Sequence, residues 1–403
     1  MEDRQTYEIK DICLGIYEGP HATPKVAKTG GIYLGIPALT STGHINYDNI
    51  RYISDEDMPI WTKRVTPQEG DIVFTNEATL NLYAVIPPHF YGCLGRRLGL
   101  IRPNKDLVDV NYLFYYFFSP EWRETISKNK VSGATVERIL MTKFPHFPIS
   151  LPSLSTQQKI SKILSTIDAK IENNRKINDN LEQQAQTLYK SWFVDFEPFK
   201  DGAFKESEFG LIPEGWRVGS LSELTEITMG QSPSGKSYNE TGDGMLFYQG
   251  RAEFGDRYPS IRLYTTEPSR IAEQNSVLLS VRAPVGDTNI AYNKCCIGRG
   301  LASITAKHGF NSFIFYMIKS LKDQFDLYNG EGTVFGSINR NSLNSMKVIV
   351  PTNEVINDFE KIVAPLDFKY KSLFTENLLL TQQRDTLLPK LMSGELKIND
   401  LDC

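Results

Sequence analysis

The chain has 403 residues, 40% hydrophobic and 23% charged, with a net charge of -4, an ordinary globular composition with ample length for two cores. No apolar run approaches the roughly 18 residues needed to span a bilayer, and the polar N-terminus MEDRQTYEIK is unlike a signal peptide, so a cytoplasmic protein without membrane contact is expected. The five cysteines, Cys13, Cys93, Cys295, Cys296 and Cys403, form no CxxC or Cys/His cluster and read as reduced thiols that hold no metal. A negative total argues against a nucleic-acid partner, but the distribution of charge reopens the question. Acidic residues are in excess in the C-terminal tail, while arginines at 251, 257, 262, 270, 282, 299 and 340 leave room for a local basic face.

In chain order, residues 1–153 read as a mixed α+β part, with a strand-like DIVFT from Asp71 and a short buried helix at 110–118. A long helix is predicted over 154–194, capped by Ser155 and ending near Trp192, followed by a linker over 195–213. Its seam, Ile160, Leu164, Ile167, Ile171, Asn174, Asn178, Leu181, Ala185, Leu188 and Trp192, alternates steps of four and three, the a/d pattern of a coiled coil. From 160 to 192 such a helix spans about 50 Å, too long to pack inside one small domain.

A second α+β part follows over 214–352, with strand-like SVLLSV from Ser276 and MKVIVP from Met346 and a short helix at 313–318. A second long helix is expected over 353–396, with a tail at 397–403. Pro365 should kink or start it, and Pro389 with Gly394 should end it. The glycine-rich connectors KTGGIYLG, TGDGMLFYQG and NGEGTVFGS supply loops on which recognition could sit.

The chain also repeats itself at an offset of 199 residues: Gly133 falls on Gly332, Ile139 on Ile338, Pro152 on Pro351, Ile163 on Ile362 and Asp168 on Asp367. LEQQAQTL from Leu181 lies over LTQQRDTL from Leu380, and the second seam becomes Phe359, Val363, Leu366, Tyr370, Leu373, Asn377, Leu380, Arg384, Leu387 and Leu391. Upstream the match loosens to CLGRRLGLI from Cys93 against CIGRGLASI from Cys296. Two copies of so long a period are two domains rather than a solenoid. Ile167, Ile171, Asn178, Leu181 and Leu188 are then expected to pack against Leu366, Leu373, Asn377, Leu380 and Leu387 in an antiparallel pair that holds the globular parts apart. The alternative is that each helix packs on its own domain.

One string imitates an enzyme. GQSPSGKS at 230–237 fits the P-loop pattern letter for letter, but YNETGDG after it is a poor start for the helix that must support phosphates. The histidines show no metal spacing, and no catalytic constellation is visible. A P-loop NTPase with a helical arm and an adaptor that never touches nucleic acid are therefore the competing readings to a binding protein.

The two-copy plan, the SLSTQQKISKILSTIDAKIENNRKINDNLEQQAQTLYKSWFVDFEPF segment, GLIPEGW opening the second part, SVRAPVGD within it and RDTLLPKLMSGEL closing it together resemble the specificity subunits of type I restriction-modification enzymes. The N-terminus has no comparable IPEGW opening. The resemblance implies an α+β fold in which two similar target-recognition domains, related by a pseudo-twofold repeat, are separated by two antiparallel coiled-coil helices. It also implies a subunit without catalytic activity that reads an asymmetric bipartite double-stranded DNA target. Two methyltransferase subunits bringing S-adenosylmethionine are implied as partners, with restriction/translocase subunits that use ATP and Mg. No cofactor is expected on this chain. Arginine and lysine on glycine-rich loops can reach phosphates or guanine edges, so Lys25, Arg96 and Arg97 are the candidates in the first domain and Lys236, Arg251, Arg257, Arg282, Arg299 and Arg340 in the second. Arg96 and Arg299 recur within C-[LI]-G-R, as a fold-supporting residue or phosphate clamp would. Arg251 and Arg257 lie where the copies differ and are the better candidates for base contact.

Overall fold

The computed structural model describes residues 4–132, 136–329 and 336–398; Gly133, Gly332 and Cys403 lie outside them. The chain forms two compact units, residues 1–173 with 376–403 and residues 174–375, so that both unit boundaries fall inside the two long helices. No helix among the described residues is long and apolar enough to cross a membrane.

Each unit is built on the same two sheets. In unit 1 a four-stranded antiparallel sheet has the order Cys13–Glu18, Leu98–Pro103, Ile72–Thr75, Tyr83–Val85. A second sheet places Gly31–Leu34 between Arg51–Ile53 and a parallel neighbour, Gly92–Leu94. Unit 2 repeats this with Thr225–Met229, Leu301–Ala306, Val277–Ser280 and Thr288–Ile290 in one sheet. Its second sheet sets Met245–Tyr248 between Leu263–Thr265 and the parallel Cys295–Ile297. The repeat that fades in the sequence upstream of residue 133 therefore reappears in the topology, in the whole of the first sheet and in the three central strands of the second, to which unit 2 adds Tyr238–Asn239 and Ile271–Ala272 at the edges. The expected strands are present at Ile72–Thr75, Val277–Ser280 and Lys347–Val350, and the expected short helices at Val110–Tyr116 and Asn311–Ser320.

The first long helix runs Leu154–Phe193, and its cap is Ser153, whose hydroxyl accepts from Thr156 N, rather than Ser155. Its buried positions follow the predicted seam through Ile160, Leu164, Ile171, Asn174, Asn178 and Ala185, then drift to Tyr189 and Phe193. A straight helix of 3.6 residues per turn slips in this way against a strict 3.5 repeat. Ile167, Leu181 and Leu188 are only half-buried. The second helix runs Asn353–Ser393, straight through both Pro365 and Pro389, and ends at Gly394, whose φ of 75° supplies the left-handed residue that closes a helix. Pro389 thus does not terminate it. The turn beyond is held by Leu396 N donating to Lys390 O at 3.0 Å.

Within each unit the two helices meet antiparallel, and both also pack on the domain core. In unit 1, Asp168 meets Arg384 while Ile171 O accepts from Asn377 Nδ2 at 3.2 Å, so rising numbers on one helix meet falling numbers on the other. Ile160 and Leu164 share a core with Tyr112, Leu113, Leu388 and Leu391. In unit 2, Tyr189 and Phe193 pack on Phe313 and Phe359. Each such side chain, fully buried, contributes about 1.5–3 kcal/mol. Helix pairing and packing on the helix's own domain are therefore both present.

Apolar packing leaves a helix free to slide, and a repeated polar socket removes that freedom. In unit 1, Asp168 accepts from Tyr115 Oη at 2.6 Å and from Arg384 Nη1 at 2.9 Å. At the equivalent place in unit 2, Asp367 accepts from Tyr316 Oη at 2.9 Å and from Arg257 Nη2 at 2.6 Å. Burial and the neighbouring carboxylate hold both tyrosines protonated, well above their ordinary range. Asp367→Ala is expected to cost about 3–5 kcal/mol, because it leaves the buried Arg257 cation with only Glu182, at 3.8 Å, to offset its charge. Asp168→Ala should cost less, since Arg384 keeps Asp385 at 2.8 Å. Amide exchange should then rise across unit 2 in the first variant while unit 1 stays unchanged; equal effects of the two substitutions would contradict this ranking.

Candidate nucleic-acid interface

The strongest local likeness between the variable parts is a turn that leaves the parallel strand pair. In unit 1, Gly92–Leu94 runs into Gly95, Arg96 and Arg97 before Leu98–Pro103 begins, and Leu98 N donates to Gly95 O at 3.1 Å. In unit 2, Cys295–Ile297 runs into Gly298, Arg299 and Gly300, and Leu301 N donates to Gly298 O at 3.0 Å. A second loop crosses directly against each turn: Gly19 N donates to Leu98 O and Gly230 N to Leu301 O, both at 2.9 Å. A Cβ on Gly19 would lie 2.0 Å from Gly95 O, and one on Gly230 would lie 2.1 Å from Gly298 O. Only glycine permits that approach. The recurring Cys-Leu/Ile-Gly-Arg string is thus a buried cysteine, a buried aliphatic residue, a close-packed glycine and an exposed arginine.

Beside these matched arginines the units diverge. Arg97 O accepts from Asn76 N at 3.1 Å, and Gly300 O accepts from Val281 N at 3.0 Å, which makes Arg97 and Gly300 equivalent. The bridges Glu77 to Arg138 and Arg282 to Ser337 then make Glu77 equivalent to Arg282. Unit 1 has an acid there, 3.3 Å from the Arg97 guanidinium, and unit 2 has a cation beside a glycine. The turn of unit 1 opens on a groove of about 260 Å³ lined by Thr23, Tyr33, Asn49, Arg51, Arg96 and Arg97. Asn49 and Arg51 are additions that no motif announces; the only trace is that Arg51 sits opposite Tyr33 in the strand ladder.

The remaining candidates separate clearly. Lys25, Arg96, Lys236, Arg282, Arg299 and Arg340 are exposed, and among the described residues none has an ion-pair partner within 4.0 Å. Lys236 belongs to the loop that meets the arginine turn, where Ser232 Oγ accepts from Arg299 N at 3.3 Å. Lys25 lies in the loop that also brings Thr23 to the groove, and Arg340 opens the short helix Arg340–Asn344. Arg251 is exposed but held to Asp287 at 2.7 Å.

Arg257 is a correction. Its side chain is 2% exposed, bound to Asp367, 3.8 Å from Glu182 and stacked between Phe315 and Tyr370 at 4.7 and 4.6 Å. Burial, the largest influence, pulls its pKa down, but Asp367, Tyr316, Tyr258 and Glu182 outweigh it and keep the guanidinium charged. A side chain so enclosed reads no base.

The P-loop reading has no structural counterpart. Residues 230–237 form a loop ending in the single 3₁₀ turn Gly235–Ser237, and the strand Tyr238–Asn239 follows where a phosphate-binding helix would have to start. The glycines are consequently used differently from those of a phosphate cradle. Gly230→Ala should destabilise unit 2 by about 1–3 kcal/mol through overpacking, whereas Gly235→Ala, whose Cβ meets nothing within 4 Å, should be neutral in chemical denaturation. The reverse order would contradict this use of the two glycines.

The model of the type I restriction modification DNA specificity domain matches residues 1–183 and 213–367. The putative type I restriction enzyme MjaX specificity subunit of Methanocaldococcus jannaschii is 33% identical over 98% of this chain and 94% of its own length. The MjaIX specificity subunit of the same organism is 28% identical over 91% and 88%. In fold, the chain is similar to the crystal structure of a type I restriction-modification S subunit from M. genitalium, with a TM-score of 0.62, 15% identity and coverage of 97% and 96%.

Proposed function

The chain belongs to the type I restriction-modification DNA specificity family, and we propose that it is the non-catalytic, cytoplasmic subunit that reads a split double-stranded DNA target, one half per unit. The observation that carries this reading is the pair of exposed arginines, Arg96 and Arg299, set on the same glycine-bound turn of two units whose neighbouring side chains differ. The common arginines suit phosphate, which positions without reading sequence. The differing neighbours, Asn49, Arg51, Arg97 and Glu77 in unit 1 and Arg251, Arg282, Lys236 and Arg340 in unit 2, suit base edges. Lys25, on the loop that brings Thr23 to the groove, belongs to the same surface. The long helices dock two methyltransferase subunits carrying S-adenosylmethionine, and restriction/translocase subunits using ATP and Mg complete the complex.

Two outcomes are expected. Methylation mapping in a host that supplies the methyltransferase should give a bipartite, non-palindromic motif, because the side chains beside the two arginine turns differ; a palindrome would overturn the assignment. Within it, Arg299→Ala should weaken all sequences alike and lower the salt slope by about 1, while Arg282→Ala should relax one position of one half-site at a cost of about 1–3 kcal/mol.

The helices act as the ruler between half-sites. Inserting one heptad between Asn173 and Asn174 and another between Thr375 and Glu376 keeps the apolar seam and adds about 10 Å. The motif should keep both halves and gain about three unspecified base pairs at roughly 3.4 Å each. An unchanged gap would remove the helices from that role.

A further inference from the structure

We propose that Arg257 is a positioning residue for recognition of the second half-site: it bolts the loop over residues 249–262 to the second long helix, so the reading of that half-site depends on the helix. The inference rests on the proposed reading of unit 2 as a DNA-binding domain.

The loop is a closed piece of structure with few ways to move. Glu253, 2% exposed, accepts from Gly250 N at 3.2 Å and pairs with Arg262 at 2.6 Å, while its carbonyl accepts from Ser260 N at 2.8 Å. Gly255 exchanges two hydrogen bonds with the Asn289 side chain, at 3.1 and 2.9 Å. One end of the loop adjoins the arginine turn, where a Cβ on Gly298 or on Gly300 would lie 2.9 Å from Gln249 O. That end also carries the exposed Arg251. The middle of the loop is anchored by Arg257, on Asp367 and beside Glu182, carboxylates contributed by the two long helices. A rigid loop joined to the arginine turn at one end and to the helices at its middle transmits the helix position to the side chains that face DNA.

Unit 1 solves the same problem without this link. Its socket, Asp168, is filled by Arg384 of the second long helix itself, so among the described residues none of the variable part before residue 153 supplies the cation. Loss of the Arg257 bolt should therefore affect one half-site only. A purely structural role would instead lower stability and methylation of every site together.

The experiment uses the assembled methyltransferase complex with Arg257→Lys and with the double variant Arg257→Met, Asp367→Leu, which replaces the buried charge pair by apolar side chains and so removes the risk of a stranded charge. Discrimination between the cognate second half-site and its single-base variants is expected to fall roughly tenfold, with the first half-site read as before and amide exchange raised over residues 249–262. If both variants keep the wild-type motif and the wild-type exchange of that segment, the inference fails. If both half-sites relax equally, it also fails, because Arg257 then acts on stability alone. A wild-type complex that methylates no bipartite motif would instead overturn the proposed function, which keeps the two failures distinct.

Discussion

A half-buried carboxylate at a fixed place on a long helix governs how each unit is put together. Asp168 and Asp367 each take a tyrosine hydroxyl from the short helix of the domain and a guanidinium from elsewhere. Leucine and phenylalanine packing is non-directional and tolerates sliding by a residue or a few degrees. Two charge-assisted hydrogen bonds of 2.6–2.9 Å to one carboxylate do not. The cost of desolvating the ions is offset only in the correct register, so the socket selects one rotation and one height of the helix against the domain.

The variable parts obey a comparable division between frame and detail. Both units spend glycines on the same two contacts, one in the turn and one in the loop that crosses it, because backbone must approach backbone there. Those contacts fix where Arg96 and Arg299 emerge. What surrounds them is free to change, and it does: an acid and an arginine in one unit are replaced by an arginine and a glycine in the other. The frame can therefore stay constant while the readout differs.

Much of the helical half of the molecule was legible in the sequence, because a 3.5 repeat sustained over heptads has few alternatives and the 199-residue offset confirmed it independently. The sheets were not, since short strands with parallel crossovers leave no period that reveals their order. Pro389 misled for a physical reason: a proline in the last turns of a helix costs a hydrogen bond but need not end it when Leu388, Leu391 and Met392 are buried around it. Arg257 misled because an arginine in a variable stretch reads as surface. The clue to its burial lay elsewhere, in Asp168 and Asp367 recurring at the same offset with a tyrosine upstream of each. A repeated acid beside an apolar seam calls for a repeated partner.

The net charge of -4 is compatible with a nucleic-acid surface once charges are sorted by engagement rather than counted. Arg97, Arg251, Arg257, Arg262 and Arg384 are paired with carboxylates, which cancels their field beyond a few ångströms. Arg96, Arg282, Arg299 and Arg340 are not so paired among the described residues. Two of these stand on matched turns, and Val281, the residue before Arg282, binds the carbonyl of the second turn. Counterion release depends on cations that reach phosphate, not on the total. An acidic chain can therefore carry a basic recognition surface, provided its acids are used in ion pairs and along the helices rather than around the turns.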